Sequence, residues 1–180
     1  WIGALFNSVT ARTAGFSTYP LGEFSNAGLL VMIFLMFVGA SPGSTGGGIK
    51  TSTLFALIQG IKTAATNTSG KAFHYSVPHG VFRKASVIAV MGISVIAEGT
   101  FMLCAFEPDI AIRDALFEMT SAFGTVGLTT GITTGLCTAS KLTSIVMMYI
   151  GRLGPLTIAT LWYFTNGDRI KYPDGNIAIG

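Results

Sequence analysis

The feature that most constrains this chain of 180 residues is a short glycine-containing strip that occurs twice. From Thr13 to Thr125 the displacement is 112 residues, and the same displacement also pairs Gly39 with Gly151. The first strip is Thr13-Ala14-Gly15-Phe16, and the second strip is Thr125-Val126-Gly127-Leu128. A constant displacement that extends well beyond the strips indicates two copies of one structural unit.

Each strip places one glycine between a short apolar segment and a longer one. Glycine adopts backbone angles that other residues avoid, so it can turn carbonyl groups toward one side. Rings of carbonyl oxygens replace the water around a cation in membrane filters. A single strip is equally compatible with a glycine turn between two buried helices. Two strips in a repeat favour the filter. We therefore expect monovalent-cation ligands at the backbone carbonyls of Thr13, Ala14, Gly15, Phe16, Thr125, Val126, Gly127 and Leu128.

The composition is that of a membrane protein. Half of the residues are hydrophobic, 11% are charged and the mean hydropathy is +0.62, whereas an ordinary soluble domain has about 25% charged residues. The net charge of +3 is small and the basic residues form no run with interleaved aromatics, so no nucleic-acid partner is expected. Cys104 and Cys137 have no metal-binding or redox spacing.

Helices of two lengths are predicted. Residues 24–49, 85–106 and 142–164 are long apolar stretches that begin or complete membrane spans, and residues 2–10 and 111–123 are shorter segments that lead into the strips. Segments of the shorter length fit re-entrant helices, with Asp109 as a candidate N-cap of the second. Helices that end at a strip would direct partial negative charge toward a dehydrating cation.

The first span is interrupted at residues 39–48, which contain five glycines and one proline. Each glycine costs a helix interior about 1 kcal/mol and proline about 3 kcal/mol, so the helix must break there. Irregular backbone inside a membrane lies against protein or an aqueous path. We therefore expect this glycine loop (residues 39–48) to lie beneath the filter and act as its gate. The expected gate residues are Gly39, Gly43, Ser44, Thr45, Gly46, Gly47, Gly48 and Arg152.

Arg152 joins this set because it is an ionisable residue inside the third span, where insertion costs about 2.5–3.5 kcal/mol. It aligns with Ala40 of the other copy, so it could face the glycine loop from the opposite side of the pore. A structural pair of Arg152 with Glu98 is the alternative. Lys50 is expected to extend to the cytoplasmic surface.

Charge placement predicts a multi-pass protein of the cell membrane. Residues 62–84 contain four basic residues and no acidic one, so this linker is predicted to be cytoplasmic. The basic end of the third span places the C-terminal tail on the same side. The chain starts inside the first copy of the repeat, so we expect further sequence upstream of Trp1.

Two other functional classes stay open. Residues 43–51 are close to a phosphate-binding loop, but Ile49 separates the last glycine from the lysine. The alternatives are therefore a membrane enzyme that binds nucleotide through this loop and a non-conducting assembly subunit. Neither alternative explains the repeated strips, and the chain is not expected to be an enzyme.

Four groups of residues resemble the Trk/Ktr/HKT superfamily of potassium transporters, and most closely a KtrB-type pore subunit. They are residues 10–16, 43–51 and 117–128, and Gly151-Arg152 followed by Gly154-Pro155. The resemblance implies that Gly15 and Gly127 are filter glycines, that residues 39–48 are an intramembrane gating loop, and that Arg152 is its inner-helix arginine.

The implied fold is an all-α membrane protein of repeated helix–pore loop–helix units, with two of four repeats present. Residues 1–66 would be the third repeat, and residues 67–180 the fourth. The implied function is potassium uptake, with potassium, and in some members sodium, as the transported or stimulating ion and no bound cofactor. The implied partners are the membrane, the first two repeats of the full-length chain, a second copy in a homodimer and a cytosolic nucleotide-binding ring of the KtrA type.

Overall fold

The computed structural model describes residues 1–66, 71–72, 75–76, 78–154 and 157. Six α-helices account for most of these residues. They are α1 (Ile2–Thr10), α2 (Asn26–Phe37), α3 (Thr51–Thr66), α4 (His79–Phe106), α5 (Ile112–Phe123) and α6 (Thr138–Leu153). Two 3-10 turns, Leu21–Glu23 and Thr133–Gly135, follow the two strips.

The order of elements repeats along the chain. A short helix, a strip, a 3-10 turn and an apolar helix occur first as α1 to α2 and again as α5 to α6. The two turns and the starts of α2 and α6 are each separated by the same 112 residues that separate the strips. The internal repeat of the sequence is therefore also a repeat of local structure.

Helix α5 lies at the centre of the packing, with eight of its twelve residues buried. One core cluster joins α5 and the second strip to α2, and another joins α5 to α4 and α6. The ring of Phe123 at the end of α5 stacks on Phe37 at the end of α2, with centroids 6.2 Å apart. The C-terminal end of α5 is thereby fixed against its neighbours.

Helix α4 is, in the described part of the chain, the one helix long and apolar enough to cross a membrane, over Gly80–Phe106. Glycines bring it close to its neighbours, since a Cβ added at Gly99 would lie 2.8 Å from the sulfur of Met147 on α6. Small residues allow such close helix packing in membranes. Large apolar side chains of α4 such as Ile93 and Phe101 are exposed, which suits contact with hydrocarbon.

The helix boundaries differ from the predicted ones in several places. Helix α4 begins six residues earlier than predicted, at His79 after Pro78. Helix α5 begins after Ala111 without a side-chain cap, so the prediction of Asp109 as the N-cap was wrong. Helix α6 begins at Thr138 and ends at Leu153, where Gly154 has a φ of +86°. The helix predicted to continue to residue 164 is therefore interrupted at this glycine.

The linker also contains a feature that an all-α fold does not include. Strands β1 (Lys71–Ala72) and β2 (Tyr75–Ser76) form a small antiparallel hairpin, with Lys71 opposite Ser76. The described residues are otherwise helices, turns and loops. The predicted C-terminal end of the third span and the cytoplasmic tail lie outside the described residues.

Candidate ion-conduction site

The two strips share an unusual backbone conformation. Thr13 has a φ of +67° and Thr125 a φ of +53°, and among the described residues they are the only non-glycine residues with positive φ. Gly15 and Gly127 follow two positions later with φ values of +75° and +90°. A β-branched residue rarely adopts this conformation, and such strain is concentrated at functional sites. The same strained pattern in both strips supports a shared role.

The strips also lie directly against each other. A Cβ added at Gly15 would lie 2.3 Å from the carbonyl oxygen of Val126, which is too close for any side chain. A Cβ added at Gly127 would meet nothing nearer than the Cα of Gly15 at 4.0 Å. Val126 and Leu128 are buried, whereas Phe16 is exposed. The second strip is therefore enclosed, and the first has one open side.

A threonine that the sequence analysis did not single out holds the first strip. Thr10, at the end of α1, donates a hydrogen bond from Oγ1 to the carbonyl oxygen of Phe16 at 2.6 Å and accepts one from the Phe16 N–H at 2.9 Å. The Phe16 carbonyl, one of the predicted ligands, is thus already hydrogen-bonded to the preceding helix. In the second strip the N–H of Val126 donates instead to Ser121 O at 2.9 Å.

The glycine loop leaves α2 at Val38 and returns to its starting point. Val38 and Ile49 form an isolated parallel bridge, in which the N–H of Gly39 donates to Ile49 O at 2.8 Å. The N–H of Ile49 donates in turn to Phe37 O at 3.0 Å. Residues 46–49 are buried, whereas residues 41–45 are exposed. The loop therefore has a fixed base, a buried side and an exposed tip.

The buried side of the loop touches both strips at their threonines. The N–H of Gly47 donates to Thr125 Oγ1 at 2.9 Å. A Cβ added at Gly46 would lie 3.0 Å from the Cγ2 of Thr13, and one added at Gly47 would lie 2.8 Å from Thr125 Oγ1. The structure therefore brings the predicted filter and the predicted gate residues into contact.

Lys50 holds the loop in this shape. Its Nζ donates to the carbonyl oxygens of Ser44 at 3.1 Å and Gly46 at 2.6 Å. The prediction that the Lys50 side chain extends away to the cytoplasmic surface was therefore wrong. Loop carbonyls that α-helix formation would otherwise satisfy accept hydrogen bonds from the ammonium group instead.

Arg152 lies in the last turn of α6 and is exposed. Within the described residues it forms no salt bridge with Glu98, which is exposed on α4, so the alternative structural pair is not present. No hydrogen bond joins Arg152 to the glycine loop in the same part of the chain. Its neighbour Gly151 packs so closely that an added Cβ would lie 1.8 Å from the Phe123 carbonyl oxygen.

An acidic residue on the opposite side of the strips also anchors an element. Glu107, just after α4, accepts hydrogen bonds through Oε1 from the N–H of Cys137 at 2.6 Å and from Ser140 Oγ at 3.4 Å. The bond from the Cys137 N–H is the main cause of a lowered Glu107 pKa, because it stabilises the carboxylate. Glu107 therefore ties the end of α4 to the beginning of α6.

Apolar helices, two facing glycine strips and an irregular loop against them define a membrane transport protein. The chain belongs to the TrkH family of cation transport proteins, whose sequence model matches residues 1–170. This membership confirms the resemblance to Trk and Ktr transporters.

Relatives with known names support the same assignment. The Ktr system potassium uptake protein B of Vibrio alginolyticus is 38% identical over 181 residues, which cover 100% of this chain and 40% of that protein. The Bacillus subtilis protein of the same name is 36% identical, with 97% and 39% covered. The potassium/sodium uptake protein NtpJ of Enterococcus hirae is 37% identical, with 97% and 40% covered. The chain thus spans about 40% of the length of these relatives.

The fold also matches a solved structure. The potassium transporter TrkH from Vibrio parahaemolyticus superposes with a TM-score of 0.75 at 23% identity, covering 90% of this chain and 37% of that one. At this identity the match shows the fold. The named relatives are uptake proteins, so the chain is a transporter component and not an enzyme.

Proposed function

We propose that the full-length protein takes up potassium across the cell membrane through a filter lined by strip carbonyls. The observation that supports this proposal most directly is the pair of strips with matching positive φ values, in contact at Gly15 and Val126. Carbonyl oxygens arranged around a common axis can replace the hydration shell of a cation. This chain would supply two of four strips, with residues 1–66 as the third repeat and residues 67–180 as the fourth.

The glycine loop is the proposed gate of this path. It lies against Thr13 and Thr125, and it is held in place by Lys50 and by the bridge at its base. A loop that is fixed at both ends but exposed at its tip can move without unfolding the helices. Arg152 would contribute a positive charge that repels cations from the closed path.

Ion preference follows from the sequence of the strips. Each strip has one glycine where the sharper potassium filters have two, so fewer ordered carbonyl layers are expected. We propose potassium as the main transported ion, with sodium as a second transported or stimulating ion. Relatives named for potassium uptake and for potassium/sodium uptake are compatible with both.

The proposed partners follow from the same family. The first two repeats of the full-length chain would supply the other strips, and a second copy would form a homodimer. A cytosolic nucleotide-binding ring of the KtrA type would bind on the side of residues 62–84 and the C-terminal tail. The relatives named as parts of a Ktr system suit such an assembly.

The proposal is tested with the full-length protein in cells that lack other potassium uptake systems. Expression should restore growth at low external potassium and produce saturable rubidium uptake. Gly127→Ser should lower the preference for potassium over sodium, because a side chain disturbs a backbone with φ of +90°. No uptake above cells with an empty vector, despite protein in the membrane, would contradict the proposed function.

A further inference from the structure

A buried acid on α5 has no place in the filter or the gate described so far. Glu118 is 7% exposed and faces the chain that continues outward from the second strip. Its Oε1 accepts a hydrogen bond from the hydroxyl of Thr133, in the 3-10 turn that follows the strip. The other oxygen, Oε2, is buried and has no hydrogen-bond partner among the described residues.

The bond to Thr133 is one part of a chain of hydrogen bonds that reaches the strip. Thr133 Oγ1 and Thr129 Oγ1 lie 2.7 Å apart and share a hydrogen bond. The N–H of Gly131 donates to Thr129 Oγ1 at 3.0 Å. Thr129 directly follows Leu128, the last residue of the second strip. Glu118 is thus connected to the end of the strip through two hydroxyl groups.

The other copy of the repeat provides an internal comparison. The residues displaced by 112 from Glu118, Thr129 and Thr133 are Phe6, Ser17 and Leu21. Leu21 is 2% exposed and packs in the core cluster with the second strip. The first copy therefore fixes its 3-10 turn by apolar packing, and the second fixes the equivalent turn by hydrogen bonds to a buried carboxylate.

Packing alone does not require an acid at this position. A buried carboxylate with one unpaired oxygen is costly, and an apolar residue of similar size is often as stable or more stable. Hydrogen bonds to a charged group are directional, so they fix a loop at a defined position where apolar contacts allow sliding.

We propose that Glu118 is a positioning residue for ion selection, which holds the outward end of the second strip in register through Thr133 and Thr129. This inference rests on the proposed function. Glu118 touches no ion. It fixes the turn from which the Gly127 and Leu128 carbonyls are presented, and loss of the bond lets the strip relax.

The test uses variants of the full-length protein that separate the hydrogen bond from burial. Thr133→Val and Glu118→Leu should each lower the ratio of potassium to sodium uptake by about tenfold, the range expected for losing a hydrogen bond to a charged group. Glu118→Gln and Thr133→Ser keep an acceptor and a donor, so both should stay within about twofold of the parent protein. The double variant should lose little more than either single variant, because both remove one bond.

A matched control is Thr143→Val, whose hydroxyl bonds only to Ala139 O within its own helix. It should leave the uptake ratio unchanged. Backbone hydrogen exchange of residues 129–135 gives a readout that needs no transport, and it should speed up in Thr133→Val and remain at the parental rate in Thr133→Ser.

The outcomes distinguish the two proposals. Faster exchange with an unchanged uptake ratio in Thr133→Val would overturn the positioning role while leaving potassium uptake intact. Unchanged exchange would show that the bond does not hold the turn, and would overturn it too. Absence of potassium uptake by the parent protein would refute the proposed function and with it any role in selectivity. If Glu118→Leu fails to reach the membrane, the exposed Thr133 variants still decide the question.

Discussion

The N–H of Gly47 donates a hydrogen bond to the Thr125 hydroxyl across 2.9 Å, joining the glycine loop to the second strip over 78 residues of sequence. Thr125 is also the residue whose φ of +53° begins the strained backbone of that strip. The same side chain therefore belongs to the filter and to the contact surface of the loop. Movement of the loop must change the surroundings of the strip.

The first prediction follows from this contact. Gly47→Ala would place a methyl group 2.8 Å from both Cγ2 and Oγ1 of Thr125, so the loop must move away from the strip. Overpacking of this kind costs about 1–3 kcal/mol, which would raise the open population by about tenfold. We expect maximal rubidium uptake to rise by a similar factor at equal amounts of protein. Ser41→Ala, at the exposed tip, is the control and should change uptake little.

A second prediction compares the two strip glycines. Both have positive φ, but only at Gly15 would a Cβ collide with backbone, at 2.3 Å from Val126 O. Alanine at a left-handed position costs about 1–2 kcal/mol, and the collision adds to this cost at Gly15 alone. Gly15→Ala should therefore impair potassium selectivity more than Gly127→Ala, as measured by competition between rubidium and sodium. Equal losses would mean that space between the strips does not matter.

The third prediction concerns the proposed gate as a unit. Deleting residues 44–47 removes the segment that contacts both threonines, and Arg152→Ala removes a fixed positive charge that would repel cations. Each change should raise maximal potassium flux and leave ion preference nearly intact. If both act at one constriction, the combined variant should gain little over the better single variant. Multiplying effects would place Arg152 at a separate barrier, and flux at or below the parental level in the deletion would make the loop a structural hinge.

Local patterns in the sequence predicted a large part of this arrangement. The displacement of 112 residues identifies both strips, because repeated residues leave a repeated pattern. The helix break after Phe37 follows from five glycines and one proline, whose helix propensities act locally. The end of α6 was missed although Gly154-Pro155 is a common helix-stop sequence, since the apolar residues beyond it outweighed that signal.

The contacts between distant residues could not be predicted in the same way. No local pattern pairs Gly47 with Thr125 or Glu118 with Thr133, because these partners meet only through tertiary packing. Lys50 was placed at the membrane surface by a general rule for long basic side chains. The rule failed because exposed loop carbonyls lie within reach of its Nζ. An acid inside an apolar helix, such as Glu118, was a visible signal that was not used.

The fourth prediction uses the lowered pKa of Glu107. Because hydrogen bonds from Cys137 N–H and Ser140 stabilise the folded carboxylate, its contribution to stability is fully present above the ordinary value of 4.5. That contribution is lost as the pH falls through the lowered folded value. Glu107→Gln should therefore lower the melting temperature at neutral pH and flatten its decline below about pH 4.5. Asp109→Asn, an exposed change in the same loop, is the control for thermal unfolding between about pH 3 and 7.

The fifth prediction tests the orientation in the membrane. Cys137 is exposed in the loop before α6, on the proposed outer side. A membrane-impermeant thiol reagent should label it in intact cells. With Cys104→Ala and Cys137→Ser in place, Lys62→Cys should be labelled only after the cells are opened, because its linker is proposed to be cytoplasmic. Labelling of Lys62→Cys from outside would invert the proposed orientation.

The bridge between Val38 and Ile49 makes the glycine loop an interchangeable module of the protein. The ends of α2 and α3 are joined by backbone hydrogen bonds at the base of the loop, so the exposed residues 41–45 carry no structural duty for the helices. Loops of different length or composition could be grafted onto the same base, and a spectroscopic label at Thr45 could follow their motion. The rate of ion passage could then evolve, or be engineered, without altering the filter that chooses the ion.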